Sequence, residues 1–191
     1  MGLVFIIYLS GLSLSKIPAV QSWTADVLSK SLSDYLETKV IIKDVSPGLF
    51  NRVIIDNIKI YDRNDSLMLN ASRIAAKISL LPLQDKKVQI DNAQIIGADI
   101  KLYKANAEAP LNCQFLIDKF SKKDKNKKNK ANIQIGTLLA RRSSVHYDMW
   151  SAPVTPLQFN LSHLSVSDID VNAKVLINLP DTLGIALKSL D

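Results

Sequence analysis

Histidine is the side chain best suited to acid–base or metal chemistry near neutral pH, and this 191-residue chain contains two, His146 and His163. Each lies next to an apolar position of a predicted strand, so a regular strand would place it on the opposite face. A metal site needs several convergent donors, and neither histidine has carboxylates or cysteines at a ligand spacing. We interpret both as exposed surface residues and predict no metal site and no cofactor.

Motifs that mark common catalytic or phosphate-binding sites are absent from the sequence. It has no G-x-S-x-G, no P-loop and no G-x-G-x-x-G. The acidic residues are scattered at predicted turns, as with Asp44, Asp62 and Asp85, where turn formation explains them. The single cysteine, Cys113, allows no intrachain disulfide and no zinc site built from thiolates. These observations predict a protein that is not an enzyme.

The chemistry that the sequence does repeat is apolar contact. One spacing, with steps of two, three, two, three, two and two residues, occurs three times along the chain. The copies are Val88, Ile90, Ala93, Ile95, Ala98, Ile100 and Leu102; Ile133, Ile135, Leu138, Ala140, Ser143, Val145 and Tyr147; and Phe159, Leu161, Leu164, Val166, Ile169, Val171 and Ala173. A fourth copy begins with Val53, Ile55, Ile58 and Ile60.

This spacing predicts β-strands. On a helix the positions would scatter around the circumference, whereas steps of two place residues on one face of a strand. Each step of three would turn the following side chains to the other face unless the strand inserts a residue. The pairs in these steps, such as Asp56-Asn57, Asp91-Asn92 and Gly136-Thr137, suit tight turns or bulges. We favour bulges in long, twisted strands over two-residue hairpins, and both interpretations predict an antiparallel sheet.

Residues 1–17 are predicted to be a membrane anchor or a signal-like segment. The stretch from Gly2 to Leu14 is apolar and carries no charge. It is shorter than the ~20 residues that cross a bilayer, and it lacks the positive region and cleavage site of a signal peptide. A truncated transmembrane helix, a signal-like segment and an ordinary buried segment all remain open.

Residues 18–38 are predicted to form an amphipathic helix, with Pro18 at a favoured first-turn position. Its polar face carries charges of both signs, which does not favour a membrane-surface helix. We expect it to cap the edge or end of the sheet. The residues assigned to its packed face are Trp23, Val27, Leu28, Leu32, Tyr35 and Leu36.

Residues 39–191 are predicted to be β-repeats interrupted by a Lys-rich loop at 119–131. Seven lysines and one aspartate between Lys119 and Lys130 carry a charge of +6, which is the net charge of the whole chain. The rest is therefore neutral, and we predict no nucleic-acid partner. The loop is interpreted as a solvated segment, with contact to anionic lipid headgroups as the alternative. We also expect a turn at 62–65 and a short helix within 111–120, and the absence of a closing signal after Leu179 indicates a fragment.

The order of segments resembles a known family. An apolar anchor precedes SKIPAVQSWTADVLSKSLSDYLETKVIIKDV, NRVIIDNIKIYDRNDSLMLNASRIAAKISLLPL, VQIDNAQIIGADIKLYK and LNCQFLIDKF. This order resembles the N-terminal part of TamB, the translocation and assembly module family, in its Bacteroidota form. That family is related to AsmA-like and chorein-type bridge-like lipid transfer proteins.

The resemblance implies an inner-membrane anchor followed by an elongated, twisted antiparallel β-groove in the periplasm, here truncated at its C-terminus. It implies a role in phospholipid transport between membranes and in outer-membrane biogenesis or protein assembly. The implied partners are membrane phospholipids, the inner membrane and an outer-membrane assembly protein of the TamA or BamA type. The alternative is a structural or adaptor protein of the envelope with a closed β core.

Under the groove hypothesis, the lining consists of apolar residues of the repeated pattern. They are Val53, Ile55, Ile58, Ile60, Val88, Ile90, Ile95, Ile100, Leu102, Ile133, Ile135, Leu138, Val145, Phe159, Leu161, Leu164, Val166, Ile169 and Val171.

Overall fold

The computed structural model of the chain describes residues 18–49, 51–79, 87–121, 132–155, 158–179 and 182–190. The predicted anchor at 1–17 lies outside the described residues, as does the greater part of the predicted Lys-rich loop, residues 122–131. Within the described ranges, no helix combines the length and the apolar character that a membrane crossing needs.

Two helices and seven strands make up the described fold. Helix α1 spans Pro18–Leu36 and helix α2 spans Gln114–Ser121. The strands are β1 (Val40–Gly48), β2 (Arg52–Tyr61), β3 (Leu67–Ser79), β4 (Lys87–Lys104), β5 (Asn132–Met149), β6 (His163–Leu179) and β7 (Thr182–Leu190). Strands hold more than half of the described residues, which confirms the prediction of a mainly β protein. The predicted turn after Tyr61 and the short helix before the Lys-rich segment are also present.

The seven strands form one sheet in sequence order, from β1 to β7. Among the described residues β1 and β7 do not pair with each other, so the sheet is open rather than closed into a barrel. Helix α1 packs along β1. One end of the sheet carries the turn at 62–66, the segment 105–113 and the connection 150–162, and the opposite end carries the turn after β1.

The prediction of a wholly antiparallel sheet is wrong at its centre, because β4 and β5 run parallel while the other five neighbouring pairs are antiparallel. Two copies of the repeated pattern pair residue for residue here, from Val88 with Ile133 to Leu102 with Tyr147. Because the two strands run in the same direction, the two-residue and three-residue steps of one copy lie beside the same steps of the other. The three-residue interruptions of β4 and β5 are therefore adjacent. The connection of residues 105–131, which includes α2, supplies the length that a parallel crossover needs.

The interruptions of the pattern lie inside continuous strands and do not form hairpins. Strand β4 runs without a break through Asp91-Asn92 and Ile96-Gly97. Asp91 is an extra residue opposite Lys77 and Ile78 of β3, which confirms a bulge there, whereas the register does not shift at Gly97. The third copy is shorter than predicted, because Phe159 and Leu161 lie in the loop before β6. A turn held by Asn160 forms there, since its Oδ1 accepts from the Ser162 amide at 2.9 Å and its Nδ2 donates to the Pro153 carbonyl at 3.1 Å.

Candidate functional site: the apolar face of the sheet

The apolar residues of the repeated pattern form rows that cross the sheet. Directly paired residues share one face, so the pairing register carries each row from strand to strand. The rows are Val40, Ile60, Leu69, Ile100, Val145 and Val166; Ile42, Ile58, Ala71 and Ala98; Val45, Ile55, Ile74, Ile95, Ala140 and Val171; and Val53, Ala76, Ala93, Leu138 and Ala173. The sheet therefore has one apolar face that extends from β1 to β6.

The structure brings most of the predicted lining residues to this face. Six belong to or pack against its main cluster: Val53, Ile55, Ile58, Ile60, Ile95 and Ile100. Others lie at paired positions of the same face: Ile90, Leu102, Leu138, Val145, Leu164, Val166, Ile169 and Val171. The backbones of Val88, Ile133 and Ile135 pair in register, and their side chains lie outside the described part of the chain. Phe159 and Leu161 are 81% and 70% exposed in the loop, away from the strands.

Helix α1 covers the β1 side of the apolar face, with α2 adding one leucine. Ala25, Leu28, Leu32 and Leu36 of α1 pack with residues of β1 to β4, and Leu116 of α2 joins the same cluster. Ala25 is fully buried and Leu36 is 6% exposed, which shows that this part of the face is closed. Among the described residues, the cluster includes no side chain of β5 or β6.

The prediction was wrong for three of the six capping residues of α1. Trp23, Val27 and Tyr35 are 67%, 48% and 53% exposed. At 100° per residue, the stripe through Ala25 and Leu32 lies opposite Trp23 and Val27. The small residue Ala25 marks the packed face, and counting large apolar residues missed it.

Two serines of α1 accept hydrogen bonds from the outer edge of β1, as expected of a helix that caps the edge of the sheet. The amide of Val40 donates to Ser33 Oγ at 2.9 Å, and the amide of Ile42 donates to Ser29 Oγ at 2.9 Å. These amides point away from β2 and would otherwise offer a template for another strand. Ser29 and Ser33 are four residues apart on the packed side of an amphipathic helix, a signal that sequence reasoning passed over.

A line of residues in the left-handed conformation crosses the sheet between its apolar rows. Asn57 of β2, Gly97 of β4, Arg142 of β5 and Asp168 of β6 all adopt positive φ, between 50° and 61°. In β3, Ser72 lies opposite Gly97, and a Cβ on Gly97 would come within 2.8 Å of its Oγ. These positions fall at the three-residue steps of the pattern, and they interrupt the regular alternation of side chains at the same level of neighbouring strands. The apolar residues before and after each step therefore stay on one face.

A buried polar hub joins three connections at one end of the sheet. Asp62, 2% exposed, accepts from the amides of Asn64 and Ser66 at 2.8 and 2.9 Å and from the Tyr103 hydroxyl at 2.5 Å. Burial opposes ionisation of Asp62, but hydrogen bonds from Tyr103, Ser66, Asn64 and Asn112 outweigh it and lower the pKa of the carboxyl. The Tyr103 hydroxyl is thus a structural donor.

A polar depression of about 440 Å³ lies beside the hub, lined by Glu37, Thr38, Lys39, Asp62, Arg63 and Asp65. Glu37 forms two ion pairs here, 2.8 Å from Lys119 Nζ of α2 and 3.5 Å from an Arg63 nitrogen. Arg63 also lies over the Phe115 ring at 5.2 Å. We assign the depression to the joint between α1, α2 and the 62–66 turn, because its ion pairs hold those elements together.

The face opposite the apolar rows carries the two histidines, as predicted, but both are half-buried and paired. His146 Nδ1 lies 2.9 Å from Ser165 Oγ, and its Nε2 lies 3.2 Å from Asp99 Oδ1 outside hydrogen-bonding geometry. His163 Nδ1 lies 3.0 Å from Asp148, and its Nε2 lies 3.0 Å from the Ala152 carbonyl oxygen. Within the described ranges, no group of three or more His, Cys, Asp or Glu side chains is arranged to hold a metal ion.

The arrangement as a whole offers non-directional apolar contact over a broad surface, and its polar groups are engaged in holding the ends of the strands. No protein-family model matches the chain, and no curated protein matches it.

Proposed function

We propose that this chain is a non-enzymatic β-groove module that holds the acyl chains of membrane phospholipids against the open part of its apolar face. One observation carries the proposal. Along a single row, exposure rises from 4% at Val40 in β1 to 42% at Val166 in β6. Along this row the apolar surface is thus covered by the helices at the β1 side and accessible at the β6 side, as a binding face with a capped end requires.

The physical chemistry of such a face suits an acyl chain. Each methylene removed from water contributes ~0.8 kcal/mol, and the contact has no required direction. A chain can therefore slide along the rows without breaking hydrogen bonds. The aligned interruptions support the same function, because they keep the apolar residues of each strand on one continuous face.

The resemblance to TamB and AsmA-like proteins adds a cellular location and a cellular process to the proposal. We propose an anchor in the bacterial inner membrane and a location of the sheet in the periplasm. There it would contribute to phospholipid transport between the membranes and to outer-membrane biogenesis, with an assembly protein of the TamA or BamA type as a partner.

A second candidate, a structural or adaptor protein, is favoured by the filled part of the molecule. Ala25, Leu36 and Leu116 close the face over β1 to β4 much as a hydrophobic core does. In this case the function lies in contacts with other envelope proteins, and the protein carries no lipid.

Adjacent leucines in β5 allow a matched test of the two candidates. Leu138 pairs with Ala93 and Ala173 on the apolar face, whereas Leu139 pairs with Gln94 and Asn172 on the opposite face. Both side chains are half-buried. Full-length wild type, Leu138→Asp and Leu139→Asp are extracted in detergent and examined by native mass spectrometry, with organic extraction of co-purifying lipid.

Lipid binding on the apolar face predicts stoichiometric phospholipid in the wild type and in Leu139→Asp, and its loss in Leu138→Asp. Circular dichroism and melting curves establish that both variants fold. A lipid-free wild type, or equal loss in both folded variants, would contradict the groove and leave the adaptor.

A further inference from the structure

The connection between β5 and β6 displays an unusual set of exposed side chains. Trp150, Val154, Phe159 and Leu161 are 64%, 71%, 81% and 70% exposed. They include both large residues that the groove prediction placed wrongly on a strand. Isolated exposed apolar residues are common, but four within one connection mark a contact surface.

The backbone around these residues is held in place. The Trp150 amide donates to the Lys104 carbonyl at 3.0 Å, and the Ser151 amide donates to the Ala105 carbonyl at 3.1 Å. The indole of Trp150 stacks on Tyr103 with centroids 4.4 Å apart and an interplanar angle of 12°. Trp150, at the start of the connection, is therefore fixed to the end of β4.

We propose that Trp150, Val154, Phe159 and Leu161 form a membrane-contact surface that enters the boundary between headgroups and acyl chains of a phospholipid bilayer. The proposal rests on the proposed function for its choice of a lipid partner, and it places this bilayer contact at the end of the sheet opposite the start of α1.

Two features favour a bilayer over a protein partner. No Asp, Glu, Lys or Arg occurs from Trp150 to Ser162, and charges are the groups that a membrane interior rejects most strongly. Polar groups in the connection bond to one another, as with Asn160 Nδ2, which donates to the Pro153 carbonyl and to Thr155 Oγ1. Polar groups in a lipid environment must form their hydrogen bonds within the protein, because no water is available there. A tryptophan with one ring face packed and the other free suits the interface, where this residue type is enriched.

The chain has two tryptophans, Trp23 and Trp150, so each can be made the only reporter. Trp23→Phe leaves Trp150, and Trp150→Phe leaves Trp23 on α1. The full chain is transferred from detergent into vesicles of phosphatidylethanolamine and phosphatidylglycerol with brominated acyl chains, and flotation establishes that it is vesicle-bound. Fluorescence then reports the surroundings of the one remaining tryptophan, even if another segment binds the chain to the vesicle.

Insertion predicts a blue shift and quenching of Trp150 emission in these vesicles. Adding Phe159→Ser and Leu161→Ser to the Trp23→Phe chain should lower the quenched fraction severalfold. Leu49→Ser changes an equally exposed leucine at the opposite end of the sheet, 70% exposed, and should leave the quenching unchanged.

Unquenched Trp150 in a vesicle-bound chain would overturn the proposal. A blue shift that grows with protein concentration without lipid would also overturn it, in favour of a protein interface. The two proposals fail separately. Phe159→Ser/Leu161→Ser should keep co-purifying phospholipid while losing the quenching of Trp150, and Leu138→Asp should lose the phospholipid while keeping that quenching.

Discussion

Tyr103 donates its phenolic hydrogen to Asp62 Oδ2 across 2.5 Å, which joins the end of β4 to the turn between β2 and β3. Asp62 directly follows β2, and β2 and β4 are not neighbours in the sheet, since β3 lies between them. The bond thus fixes the end of the sheet from which the candidate membrane-contact surface projects, because Tyr103 also stacks on Trp150.

Removing this hydroxyl tests the hub. Tyr103→Phe keeps the ring on Trp150 but leaves the buried Asp62 carboxylate without its shortest side-chain donor, which should reduce the free energy of unfolding by about 1–3 kcal/mol. Urea denaturation measures the loss. Tyr61→Phe removes a hydroxyl from the tyrosine at the end of β2 and serves as the control. Equal stability of the two variants would contradict the role given to Tyr103.

The same hub predicts a stability that falls in acid. The folded pKa of Asp62 is lowered, so its contribution is present above the unfolded pKa, near 3.9, and is lost as pH falls through the folded pKa. Asp62→Asn should therefore be less stable than wild type at pH 7, and the difference should narrow as pH falls below 4. Thermal melts of both proteins across this range measure it, and a constant difference would show that Asp62 acts through its shape alone.

His163 predicts the opposite dependence. Both ring nitrogens face acceptors, the Asp148 carboxylate and the Ala152 carbonyl, so the doubly protonated ring is favoured and its pKa is raised. A raised pKa gives a contribution that is fully present below the unfolded value of about 6.5 and is lost as pH rises through the folded value. The melting-temperature difference between wild type and His163→Gln should shrink as pH rises above 6.5. In an Asp148→Asn background this pH dependence should weaken, and an unchanged dependence would contradict the assignment.

Two glycines should resist substitution for different reasons. Gly97 has φ of +61° and its Cβ would meet Ser72 Oγ at 2.8 Å, whereas the Cβ of Gly136 would meet the Asp91 backbone oxygen at 2.8 Å. Gly97→Ala should cost about 1–2 kcal/mol from the left-handed conformation, and the contact adds to this. Ser72→Ala should recover part of that loss in the double variant. Ser72→Ala should not rescue Gly136→Ala, because the new Cβ there meets a backbone oxygen of Asp91. Rescue of both glycine variants by Ser72→Ala would contradict this explanation.

The serine contacts of α1 predict protection of the sheet edge. Ser29→Ala and Ser33→Ala each leave an amide of β1 without its acceptor, and each should lower the free energy of unfolding by about 1–3 kcal/mol. The double variant should also self-associate, because the exposed edge can pair with another strand. Ser31→Ala, on the exposed side of the helix, is the control. Light scattering and urea denaturation measure both effects, and a monomeric, fully stable double variant would contradict the capping role.

Periodicity alone predicted the mainly β fold, the bulges and the apolar face. These are local properties: a step of two or three residues determines which side of a strand Ile95 or Ala98 faces, whatever the neighbouring strand is. The amphipathic helix was predictable for the same reason. Its packed side was predicted wrongly at Trp23 and Val27, because the prediction followed the large apolar side chains and not their positions around the helix axis.

Strand pairing was decided by tertiary structure. Val88 has the same pattern whether its neighbour runs parallel or antiparallel, and only the pairing with Ile133 selects the parallel direction. The two copies have the same order of steps, which is compatible with parallel pairing. The order selects that direction only if the two copies are neighbours, and the sequence does not say which strands are neighbours. The hub of Asp62, Tyr103 and Asn112 likewise spans 50 residues of sequence, and the Ser33–Val40 contact depends on how α1 folds back on β1. Contacts between distant residues follow from register and crossover, and these are properties of the assembled sheet.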